Sequence, residues 1–227
     1  MKPTEQARGI GYTRRAGRGF FPGLSVTNWI VIVNICFFIF SFIILAGKQG
    51  FIDYLALKPA NILQGKMLWT ILTSMFMHAN LSHLLVNMIS LMFIGNFVEK
   101  IIGRKRFFLF YILAGIIAGL SFVFLALIFQ SGLDIYAVGA SGAIFGLGGL
   151  LMILTPRLPV LVFFIIPMKM WQAMVFLLLG LWLISWLAGL PVGNTAHLGG
   201  LLAGVGYGLY LKNKYKRKVA MLNRMFG

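Results

Sequence analysis

Two short strings carry the polar chemistry of an otherwise apolar chain. Gly139-Ala140-Ser141-Gly142 opens one apolar stretch, and Ala196-His197-Leu198-Gly199-Gly200 opens another. A hydroxyl and an imidazole are the minimal pair for nucleophilic acyl transfer, because the His removes the proton that makes the Ser reactive. Ionisable side chains are expensive at membrane depth, so an intramembrane His marks a functional site by default. A second polar pair, His83 and Asn87, stands at i and i+4 and therefore on one helical face. Such side chains can donate to a developing oxyanion; a metal site or a polar lock between helices are the other uses of such a pair. The chain has three His, four acids and one Cys, and Asn is a poor ligand, so no metal is expected. No carboxylate is placed to orient His197: Glu5 and Glu99 fall toward one side, and Asp53 and Asp134 in loops on the other. A Ser–His dyad is therefore more economical than a triad.

The elements that position these residues follow from composition. The 227 residues are 60% hydrophobic and only 11% charged, whereas soluble domains average about 25% charged. A soluble domain is excluded, and the chain reads as an integral membrane protein. A net charge of +16 would suggest nucleic acid in a soluble protein. Here the cations fall in the N-terminal tail, in two short interior loops and in the C-terminal tail, which fits membrane topology and attraction to anionic lipid. No nucleic-acid partner is expected. Cys36, the single cysteine, sits in an apolar run and reads as inert packing. The first 24 residues are basic and Gly-rich without a signal-peptide cleavage site, so the first apolar segment is expected to remain as an anchor.

A bilayer core of about 30 Å takes roughly 20 helical residues. Apolar runs of that order lie at 26–45, 81–98, 107–129, 141–154, 171–187 and 195–211. With the N-terminus inside, every Lys and Arg except Lys48, Lys58 and Lys66 falls on the inner side, so both termini are expected in the cytoplasm. The predicted organisation is a basic tail (1–24), a membrane domain (25–212) and a second basic tail (213–227). The outer loop 47–80 is amphipathic and should lie partly in the interface, with Trp69 at headgroup level. The inner loop 156–170, with Pro156, Pro159 and Pro167 around an apolar core, should run extended.

The fourth segment is short. At 1.5 Å per residue it covers about 20 Å of the bilayer core. With its inner end near Pro156, its outer end must lie below the outer surface, where irregular backbone is tolerated only beside protein or water. A hydrated pocket with Ser141 at its floor follows. Ser141 also stands where helix N–H groups are unpaired and the dipole favours negative charge; a helix cap or a packing residue is the plainer use of such a Ser. Gly142, Gly146 and Gly149 on the fourth segment, and Ala196, Gly200 and Gly204 on the sixth, form small faces that let two helices approach closely. That approach would bring His197 toward Ser141.

Taken together, these residues resemble the rhomboid intramembrane serine proteases. The resemblance rests on Trp69 through His78, on His83 and Asn87, and on Gly95, Glu99 and Gly103. It continues through Gly139-Ala140-Ser141-Gly142 and Ala196-His197 with Gly200 and Gly204. It implies an all-α, polytopic bundle of six transmembrane helices with a short fourth helix and an amphipathic first outer loop. It also implies Ser141 as nucleophile and His197 as general base and then acid, with His83, Asn87 and the Ser141 backbone N–H around the oxyanion. Phe145 stands where some members carry a tyrosine stacked on the catalytic His, and Thr70 where an Arg is common. Glu99 is expected to brace the inner end of segment two, and His78 the outer loop. The implied activity needs no cofactor. It cleaves single-pass membrane proteins near the outer ends of their helices, with segment five and the loop 189–194 as gate and cap, in a cell membrane. A rhomboid-like protein that binds transmembrane helices without cutting them is the alternative; an ion-coupled transporter is disfavoured by the lack of an inverted repeat or buried acid.

Overall fold

The computed structural model describes residues 23–47, 49–163, 165–188 and 193–226. The expected basic tail up to residue 22, and residues 189–192 of the expected cap, lie outside these. Four described helices are long and apolar enough to cross a membrane: α1 (Val26–Gly47), α2 (Leu81–Ile102), α3 (Arg104–Phe129) and, later in the chain, Met170–Ala188. Between them, α4 (Ser141–Leu154) has 14 residues. The Met170–Ala188 helix is α5, and α6 (Asn194–Lys214) follows with 21 residues. A further helix, α7 (Lys216–Arg224), stands within the segment read from sequence as a tail. The chain is thus a polytopic, mostly helical membrane protein.

The shortest membrane-depth helix is the most buried. Residues 142–151 of α4 are all buried, as expected of a helix apolar on every side. Glycines set its distances to the neighbours. A Cβ on Gly200 would land on the Gly142 carbonyl oxygen, and one on Gly204 on the Gly146 carbonyl oxygen. On the other flank, Cβ atoms on Gly142 and Gly146 would sit 2.6 Å from the Cβ atoms of Ala118 and Ala114 of α3. Thus α4 is clasped between α3 and α6 at backbone distance, the packing that small residues allow in membranes.

Glu99 joins the start of α1 to the close of α2. Its buried carboxylate accepts from the Val26 and Thr27 N–H groups (2.9 and 2.8 Å) and from Thr27 Oγ1 (2.8 Å), with Arg104 Nε at 3.8 Å. A carboxylate at the first turn of α1 satisfies orphan donors and meets the favourable end of the dipole. Within α2, Leu91–Gly95 forms a π turn between Asn87 and Glu99.

The connection between α1 and α2 contains short helices at Ile52–Leu55, Pro59–Leu63 and Thr70–Thr73. Trp69 is exposed, stacks with Tyr54 at 6.5 Å, and donates through Nε1 to the Tyr54 carbonyl at 3.0 Å. Thr70, where the family often has Arg, is buried and donates to the Met67 carbonyl at 2.7 Å. The connection between α4 and α5 is extended, as the prolines suggested, but it is paired: β1 (Pro159–Val162) and β2 (Ile166–Lys169) form an antiparallel hairpin, with Leu161 opposite Pro167. In a two-stranded sheet both strands are edges, so proline is accommodated.

Candidate active site

Ser141 is the first residue of α4, and His197 lies in the first turn of α6. The glycine-mediated contact of these helices brings His197 Nε2 to 2.8 Å from Ser141 Oγ. Ser141 is thus the first helical residue rather than the cap, and its hydroxyl meets the imidazole. Phe145, one turn on, lies flat on the imidazole with centroids 4.5 Å apart and planes 16° apart. His197 is buried, and its Nδ1 has no hydrogen-bond partner among the described residues. The Phe145 stack lies along the ring plane, and no described carboxylate bonds the ring.

His83 and Asn87 come from the outer half of α2. Asn80 caps this helix, accepting from the His83 N–H at 2.8 Å and from Ser82 Oγ at 2.7 Å. The Asn87 side chain is buried, and its Nδ2 has no partner among the described residues. Gly139 lies against both. A Cβ there would stand 2.8 Å from His83 Nε2 and 3.4 Å from Asn87 Nδ2, and φ at Gly139 is +114°, so both space and backbone call for glycine. His78 is buried beside His83 (centroids 5.1 Å), with Nδ1 3.3 Å from the Phe76 carbonyl.

The strand of chain entering Ser141 is tied to the outer loop. Leu57 and Ala137 exchange backbone bonds (3.1 and 2.8 Å), and Gly139 N–H donates to the Ser74 carbonyl at 2.8 Å. Tyr136 Oη donates to Asp53 Oδ1 at 2.8 Å. Lys58 pairs with the exposed Asp134 at 3.0 Å, a hydrogen bond that raises the lysine pKa above its ordinary value. Ser141, His197, His83, Asn87 and Gly139 line one cavity of about 560 Å³ whose wall continues along Val86, Ser90 and Ile94 of α2 and Met174, Leu177 and Leu181 of α5.

Of the site residues proposed from sequence, Ser141, His197, Phe145, His83, Asn87, Gly139 and Gly142 gather here. Gly200 and Gly204 act through the α4–α6 contact, and Glu99 stands at the far end of α2. Three positioning features were missed. Asn80 had a readable signal, a cap residue before an apolar run. Ala114 and Ala118 had a weaker one, their four-residue spacing within an apolar helix. The backbone tie from Ser74 to Gly139 left no mark in sequence.

The Rhomboid domain matches residues 65–214. RHOMBOID-like protein 2 of Arabidopsis thaliana is 33% identical over 172 residues, covering 74% of this chain and 50% of its own length. RHOMBOID-like protein 6, mitochondrial, of the same plant is 31% identical over 157 residues, covering 69% of this chain and 48% of its own. Rhomboid-like protease 3 of Toxoplasma gondii is 27% identical over 216 residues, covering 91% and 76%. The chain spans about half the length of the two plant relatives. With the domain match covering well over half of the sequence, on a polytopic helical fold, this chain belongs to the rhomboid family.

Proposed function

We propose that this chain is a serine endopeptidase that hydrolyses transmembrane segments of other membrane proteins without a cofactor. The observation that carries this reading is the 2.8 Å contact between His197 Nε2 and Ser141 Oγ at the end of a helix too short to span. In the reaction, Ser141 Oγ attacks the scissile carbonyl carbon as His197 takes its proton. The carbonyl oxygen becomes an oxyanion facing Asn87 Nδ2, the His83 ring and the N–H groups of the first turn of α4; the unpaired Asn87 donor suits that charge. His197 then protonates the leaving amine as the C–N bond breaks. Water repeats the sequence on the acyl-enzyme and releases the carboxylate product with Ser141 restored.

Single-pass membrane proteins are the substrates we infer, since the cavity is walled by apolar side chains of the long apolar helices α2 and α5. A helical peptide bond is shielded by its own hydrogen bonding, so cleavable segments should unwind easily and carry Gly, Pro or small polar residues near the cut. We place the protein in a cell membrane with six spans, the basic end of the bundle and both basic tails being cytoplasmic. The test is cleavage of a labelled single-pass substrate by purified protein in detergent. Product from the wild type and none from Ser141→Ala or His197→Ala is expected; product that persists in Ser141→Ala overturns the nucleophile.

A further inference from the structure

The two ends of the bundle differ in charge. At one end, Lys and Arg come from the close of α2, the start of α3, β2, the close of α6 and α7, and the acid among the described residues there is Glu99, already bound to α1 and Arg104. Within this end, three cations converge on one ring. Arg106 Cζ of α3, Lys214 Nζ of α6 and Lys218 Nζ of α7 lie 5.8, 5.8 and 5.9 Å from the centroid of the half-buried Tyr215. Arg106 Nη2 also donates to Tyr215 Oη at 3.4 Å, and Lys214 Nζ to Tyr210 Oη at 2.8 Å. A tyrosine face attracts one cation well. Three exposed like charges around it repel one another, and among the described residues none of the three takes part in an ion pair. The cluster is complementary to an anion that the described residues do not supply.

Its depth says which anion. Tyr207, Tyr210 and Tyr215 on this end of α6, and the exposed Trp171 at the start of α5, are the amphipathic rings that settle at the headgroup plane. Next to them, α7 is anchored by the buried Val219 and by Phe226 packed on Phe97 at 6.1 Å. It nevertheless exposes Met221 (68%), and just after it Met225 (74%), beside its basic residues. A short helix with cations and bare apolar side chains is suited to lie in the membrane interface. We propose that Arg106, Lys214 and Lys218 form, around Tyr215, a binding site for the headgroup phosphate of an anionic phospholipid, with the α7 methionines against its acyl chains. The site joins α3, α6 and α7 and is independent of the catalytic reading.

The test uses the full chain in phosphatidylcholine nanodiscs with and without phosphatidylglycerol, reading retained lipid by native mass spectrometry. Wild type should retain phosphatidylglycerol in preference to phosphatidylcholine. The triple variant R106Q/K214Q/K218Q should lose on the order of a hundredfold in that preference, from three charges each near the lipid surface. The triple K100Q/K105Q/R224Q removes as much charge from the same end outside the ring and should keep most of it. An equal loss in both triples, or no preference in wild type, overturns the site. Displacement of the lipid by millimolar inorganic phosphate in solution also overturns it, since the ligand would then be the free ion.

Discussion

Asn87 and Phe145 hold the most exposed bets at the scale of single residues. An oxyanion donor acts on the transition state more than on the bound substrate, so Asn87→Ala should lower kcat by about 10²–10³ with KM little changed; initial-rate kinetics on a transmembrane substrate check this. Phe145→Tyr keeps a ring over the imidazole and should cleave near the wild-type rate, whereas Phe145→Leu, without the flat face, should lose much of it. Glu99 is a different case. Its carboxylate receives two backbone N–H groups and a hydroxyl from α1, so Glu99→Ala strands buried donors at a cost of roughly 1–3 kcal/mol. Thermal unfolding in detergent should show the loss, while the rate per folded molecule stays close to normal. Asn87 was legible in sequence because a polar atom in an apolar run has to be used, whereas Phe145 and Glu99 were picked out by the family resemblance. Ala114 and Ala118 serve the same site and carried no such contrast, because a small apolar side chain in an apolar helix looks like filler.

Among elements, the contact of α4 with α6 decides whether the dyad forms. Gly200→Ala or Gly204→Ala would drive a methyl into a carbonyl oxygen of α4, push the helices apart and carry His197 from Ser141, whereas the methyl of Gly206→Ala meets nothing within 4 Å. Cleavage should collapse in the first two and survive in the third, with all three measured on the same substrate. The four-residue spacing of small side chains makes this contact legible in the sequence. The π turn at Leu91–Gly95 is not, since no residue type there demands it. The turn absorbs one extra residue between the His83–Asn87 face and Glu99 by widening the helix locally. The hairpin at the inner end was half legible: the prolines announced extended chain, but strand pairing depends on a partner that local composition does not name.

At the scale of the whole molecule, orientation is the claim to test. With Cys36→Ser as background, Lys66→Cys should react with an impermeant maleimide added to intact cells, and Arg217→Cys should react only after lysis; the reverse pattern would place the catalytic cavity on the other side. The charge asymmetry that motivates this has an energetic consequence. A cell membrane is electrically polarised, negative within, and carrying one charge through 100 mV is worth about 2.3 kcal/mol. The loop and tail cations of one end would each have to cross that field for the bundle to invert, while the other end, with Lys58 and Lys66 offset by Asp53 and Asp134, offers almost nothing in return. For the proposed orientation in a cell membrane, the resting potential would act as a ratchet on assembly, and cells de-energised during synthesis should accumulate molecules facing both ways.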